Sequence, residues 1–173
     1  MKAFRLTLLS FTAAVLFTAC SPTPEEARIY NDELIALENP LSQTEENFID
    51  MLSSEKSTAD LKKAYDELVK QSDEAVSGIE KIGAFDNNTS FRDAAEEYFR
   101  TIQAIVKNEY KSLVELASKN PEEITEEDSK KYEELLDGVQ SKTDKVLSKI
   151  QAEQAAFAAK FKFTIEDVEA AKQ

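Results

Sequence analysis

Residues 91–116, FRDAAEEYFRTIQAIVKNEYKSLVEL, carry a regular series of side chains: Phe91, Ala95, Tyr98, Ile102, Ile105, Glu109, Leu113 and Leu116. The steps alternate between three and four residues. That spacing draws one stripe along an α-helix, the stripe that a helix buries against its neighbours. A half-buried strand would instead alternate at every second residue. One member of the series, Glu109, is charged, so the stripe predicts either a buried carboxylate with a partner or a local drift that turns it to water.

Three further stretches show the same pattern. The first runs through Ala27, Tyr30, Leu34, Leu37, Leu41, Thr44, Phe48 and Met51, and opens at Thr23-Pro24-Glu25-Glu26. Thr23 and Glu26 have the spacing of a capping box, and a proline in the first helical turn sacrifices no hydrogen bond. Pro40 interrupts this stripe without changing its phase, which predicts a kink near Glu38–Leu41. The second runs through Leu61, Tyr65, Leu68, Ser72, Ala75, Ile79 and Ile82, starts at Ser57 or Thr58, and meets Gly83 as a left-handed stop. The last runs through Tyr132, Leu136, Val139, Thr143, Val146, Ile150, Phe157 and Phe161, with Thr125 and Asp128 as its cap. Ser90 and Asp93 have capping spacing ahead of the 91–116 stretch.

Short connections, about three to eight residues, make successive helices antiparallel. The expected fold is therefore all-α: an up-down-up-down four-helix bundle over residues 25–162, with a kinked first helix and a short tail over 163–173. Composition agrees. The 173 residues include only three glycines and four prolines, while Ala, Leu, Glu and Lys abound.

The N-terminus has the parts of a secretory signal over residues 1–19. Lys2 and Arg5 precede a twelve-residue apolar run, LTLLSFTAAVLF, too short to span a bilayer core of about 30 Å. Phe17, Thr18 and Ala19 then lead to Cys20, the only cysteine. This arrangement resembles the lipobox of bacterial lipoproteins. The resemblance implies lipid (palmitate included) on Cys20, cleavage before it, and a tether over 20–24. Ser21 resembles the outer-membrane sorting pattern, with the side of that membrane left open. The alternative is an ordinary signal peptide cut after Ala19, which leaves a free thiol in an oxidising compartment. Two or more acyl chains hold a protein stably on a bilayer, so the implied partner is a membrane.

Losing Lys2 and Arg5 leaves 19 basic residues against 34 acidic, a net charge near −15. Such a body repels nucleic acid. With no second cysteine, an internal disulfide is impossible.

The stretches FDNNTSFRDAAEEYFRTIQAIVKNEYKSLVEL (85–116) and EEDSKKYEELLDGVQSKTDKVLSKIQAEQAAFAAKFKF (126–163) together resemble uncharacterised bacterial surface lipoproteins described from Leptospira and found in Bacteroidetes. The features behind this are Phe85, SFRDAA at 90–95, the Tyr98-Phe99 pair, NEY at 108–110 and the closing QAAFAAKFKF. The resemblance implies a lipid-anchored helical bundle and no particular chemistry.

Chemistry-bearing residues are sparse. There is no histidine, which removes the commonest general base, imidazole metal and haem ligands, and the Glu-x-x-His pairs of di-iron bundles. The expectation is a non-enzymatic protein with no metal and no cofactor beyond the lipid on Cys20. The acids of 121–129, PEEITEEDS, lack calcium-loop spacing and suit a helix N-terminus. Glu109 with Tyr110, Arg92 and Arg100 is a candidate polar network, and Glu109, Thr143 and Tyr98 are candidate ligand-binding residues. AAFAAKFKF is either a hydrophobic plug at one bundle end or a docking patch. Two functions follow: an envelope or surface interaction module that works by contact with a protein partner, or a small-ligand carrier with a polar site between helices.

Overall fold

The computed structural model describes residues 21–54 and 57–165, so Cys20, the signal segment and the end of the tail lie outside the described residues. The described chain is a helical bundle of four rods. The first rod comprises α1 (Pro24–Ala36) and α2 (Glu38–Leu52), and the second is α3 (Thr58–Ile79). The third comprises α4 (Ser90–Ile105), a π-helical turn (Val106–Tyr110) and α5 (Lys111–Ala117). After a single 3₁₀ turn at Pro121–Glu123 comes α6 (Glu126–Phe161), 36 residues and about 54 Å long at 1.5 Å per residue.

Local chemistry starts and stops these helices. Capping boxes form at Thr23/Glu26 and Thr125/Asp128, and Ser57 accepts from the Asp60 N–H. The Ser90/Asp93 box does not form. Thr89 is the N-cap, its carbonyl accepts the Asp93 N–H at 2.7 Å, and Asn88 Oδ1 accepts the Ser90 N–H at 2.9 Å. Gly83 is not a left-handed stop, because no glycine has positive φ. The chain instead leaves α3 through tightened turns, with Lys81 N–H on the Gly78 carbonyl and Ile82 N–H on the Ile79 carbonyl. Gly83 is then free to accept the Tyr30 hydroxyl at 2.8 Å. The left-handed residues are Asp86 and Asn87, at the centre of a turn closed by two hydrogen bonds between Phe85 and Asn88. Lys162, also left-handed, ends α6.

Packing follows the stripes. α2 lies along α3, and α4 lies between α3 and α6, while α1 touches α6. Leu34, Leu41, Phe48, Leu68, Ile79, Phe99, Ile102, Ile105 and Leu113 are almost wholly buried. Seam hydroxyls are satisfied locally: Ser72 donates to the Val69 carbonyl and Thr44 to the Pro40 carbonyl, each at 2.7 Å. α6 departs from its expected stripe in its first half. Leu136 is exposed, and Tyr132, Leu135 and Val139 pack only partly.

One end of the bundle is an aromatic cluster. Phe157 sits within 4.8–5.9 Å, centroid to centroid, of Tyr30, Phe85, Phe91, Phe161 and Phe163. Phe157 and Phe161 are buried, so the closing AAFAAKFKF forms a plug and not an exposed aromatic patch. The cluster ties α1, the loop before α4 and the end of α6 together.

Three stability outcomes follow. Phe157→Ala should cost about 3–5 kcal/mol in urea unfolding, since five rings lose one partner. Gly138→Ala should gain about 0.5–1 kcal/mol, because an added Cβ meets nothing within 4 Å on an ordinary helix turn. Gly78→Ala should not share that gain, because its Cβ would lie 2.6 Å from Leu37 Cδ2 and the leucine would have to move.

Candidate functional site

A cleft of about 300 Å³ lies between the first rod, α4 and α6. Leu34, Ile35 and Glu38 line it from either side of the α1–α2 division at Leu37, Tyr98 and Phe99 from α4, and Leu147, Ile150, Gln151 and Gln154 from α6. Ile165, just past the end of α6, lies at its edge. Its position reflects how the first rod is shared: α1 leans on α6 while α2 leans on α3. Pro40 has no N–H to give the Ala36 carbonyl, and α1 ends at that residue. At one rim, Gln154 Nε2 donates to Asn31 Oδ1 at 2.8 Å, and Asn31 is buried.

The polar groups behind the cleft form a chain of influence. Burial pushes the Glu38 carboxyl above its ordinary value, and the charge of Glu45 adds to the effect. Glu45 is raised for the same first reason, with Glu46 adding to it. The Tyr110 hydroxyl, which donates to Glu45 Oε1 at 2.5 Å, pulls the other way. Burial raises Tyr98 well above an ordinary phenol, helped by Glu38 and Glu45. Tyr110 is raised by burial first and then by its acidic partner. Tyr98 is more than nine-tenths buried, and its hydroxyl has no hydrogen-bond partner among the described residues.

Of the three residues singled out by sequence, Tyr98 alone lines the cleft. Thr143 is half-buried on α6, one turn before Leu147, and is not among the lining residues. Glu109 is turned aside by the π-helical turn. The extra residue in Val106–Tyr110 carries the buried position to Tyr110, which stacks on Phe48 with centroids 4.9 Å apart. Glu109 pairs with Lys142 at 2.7 Å, and its second oxygen is buried without a partner. The expected network of Glu109 with Tyr110, Arg92 and Arg100 does not assemble. Arg92 binds Asp93, and Arg100 binds Glu80 and Glu96.

Glu38, Glu45, Tyr110 and the Asn31–Gln154 pair are the residues that sequence reasoning missed. A signal for the acids exists: Glu38 and Glu45 stand four residues after the buried Leu34 and Leu41, on the same helical face. Among the described residues no group of three or more His, Cys, Asp or Glu side chains is arranged to hold a metal ion. No described helix is long and apolar enough to cross a membrane.

No family model matches this chain, and no curated protein or solved structure matches it either.

The raised carboxyls make a signed prediction. The folded chain holds protons on Glu38 and Glu45 that the unfolded chain releases near the ordinary value of 4.5. Stability from those protons is complete below that pH and is lost as pH rises through the raised values. The double variant Glu38→Gln/Glu45→Gln should therefore be more stable than the parent at pH 7. The gap should close on acidification below pH 4.5, as measured by urea unfolding across pH.

Proposed function

We propose that the chain is a bacterial envelope lipoprotein, anchored in the outer membrane by lipid on Cys20, whose bundle carries a small ligand without performing catalysis. The observation that carries the ligand reading is the Tyr98 phenol at the wall of a cleft between helices, its ring buried and its accessible hydroxyl making no hydrogen bond among the described residues. The hydroxyl is not among the buried unpartnered atoms, so it opens on the cleft, where a bound molecule can hydrogen-bond to it. The cleft is at the small end of ligand sites, roughly 300–1,000 Å³, with apolar walls and a few polar groups.

In this reading the four rods run up-down-up-down with a kink in the first near Glu38–Leu41. What supports it is the pairing of ends. The start of α1, the loop before α4 and the end of α6 share the aromatic cluster. The ends of α2 and α5 and the start of α6 meet around Leu52, Leu116, Ala117 and Tyr132. Pro24 starts α1 four residues after Cys20, so the aromatic end faces the bilayer and holds the cleft near it. The surface lipoproteins of Leptospira and Bacteroidetes are the family we propose, on the quoted stretches.

The contact-module reading keeps one observation in its favour. Ile124 is 48 % exposed beside the apolar groove of Leu52, Leu116 and Tyr132, at the end far from the anchor.

Two measurements test the proposal. Labelled palmitate should enter the protein in its host and be lost in Cys20→Ser; no incorporation in the parent overturns the anchor. Native mass spectrometry of the protein extracted from its membrane should show a bound small molecule that is lost in Leu147→Trp, which fills the cleft. An unliganded parent spectrum overturns the carrier reading.

A further inference from the structure

Among the described residues the cleft has one charged lining residue, Glu38, and it is an acid. Glu38 forms no ion pair and no hydrogen bond among the described residues, although it is half-buried and its neighbour Glu45 is acidic as well. Burial of a carboxylate away from any cation is costly. Several cations of the surrounding helices are engaged elsewhere. Lys149 pairs with Glu97, Lys142 with Glu109, and Arg100 with Glu80 and Glu96. Arg28, in the adjoining recess beside Asn31, is held by Glu25 and Asp32.

Each remaining feature selects the same kind of molecule. Leu34, Ile35, Leu147 and Ile150 offer apolar walls, and the rings of Tyr98 and Phe99 lie 5.3 Å apart at the floor. Aromatic rings attract cations through their negative faces, most strongly when water is excluded. An anionic head, whether carboxylate or phosphate, would meet Glu38 with no positive side chain lining the site. The acidic body also concentrates cations around it.

We propose that the cleft binds a small organic cation with an apolar body, an alkyl or aryl ammonium, its charge paired with Glu38 beside the Tyr98 ring. This rests on the carrier reading and names its ligand class.

The test is isothermal titration of the full chain in its membrane mimic, corrected with empty mimic. Three probes of one chain length are compared: hexyltrimethylammonium, hexanoate and hexan-1-ol. The ammonium should bind and hexanoate should not. Glu38→Gln should weaken the ammonium by about tenfold with unchanged helical circular dichroism. Tyr98→Phe, which keeps the ring, should weaken it less. Equal binding of all three probes, or preference for hexanoate, overturns the cation assignment and leaves the carrier reading standing. Ammonium binding that ignores both variants overturns it too, by placing the cation on the acidic surface. If no probe binds, the assignment falls, and the extracted protein's native mass spectrum then shows separately whether a different ligand occupies the cleft.

Discussion

A single widened turn governs which side chains face the interior of the third rod. An uninterrupted α-helix from Phe91 to Leu116 would carry Glu109 inward, where a carboxylate needs a partner or a proton. The π-helical turn at Val106–Tyr110 inserts one residue into the stripe and brings Tyr110 to that place. Asn108 donates its side-chain amide to the Ala104 carbonyl across this turn, at 2.7 Å. The acid–phenol pairing in the interior follows from the exchange. Tyr110 packs on Phe48 and reaches Glu45, Glu45 acts on Glu38 and Tyr98, and Glu109, still mostly covered, pairs with Lys142 through one oxygen.

The first rod supplies the complementary irregularity. Its stripe keeps phase through Pro40, yet the two halves have different neighbours, α6 for α1 and α3 for α2. A straight, continuous helix would have to choose one of them. Dividing at Leu37 lets both halves bury their apolar faces, with a recess beside the division. Gly78 matches this arrangement, since the absence of its side chain leaves room for Leu37 against α3.

The two ends of the bundle differ in kind. Six aromatic rings close one end densely, with the Phe85–Asn88 turn holding Phe85 among them. At the other end, where the end of α5 meets the start of α6, Tyr132 and Leu135 are only partly covered and Leu136 is exposed. In a body with this excess of acids, the dense aromatic end provides cohesion that surface ion pairs contribute only weakly.

The helical class, the first two stripes, the third apart from Glu109, the later half of the fourth, the caps at Thr23, Ser57 and Thr125, and the burial of Phe157 and Phe161 were legible in the sequence. Each depends on residues a few positions apart, and local periodicity and capping act over that range. Tyr98 was legible as a seam residue for the same reason. The exchange of Glu109 for Tyr110 was not, because one inserted residue leaves no gap in an alternating three-and-four pattern. Nor was the pairing of Tyr110 with Glu45, 65 residues apart, or of Gln154 with Asn31, 123 apart. By itself the sequence determined the helical class, most of the buried stripes and the caps at Thr23, Ser57 and Thr125. Only tertiary packing decided which acids lost their water, because desolvation depends on what arrives from other helices.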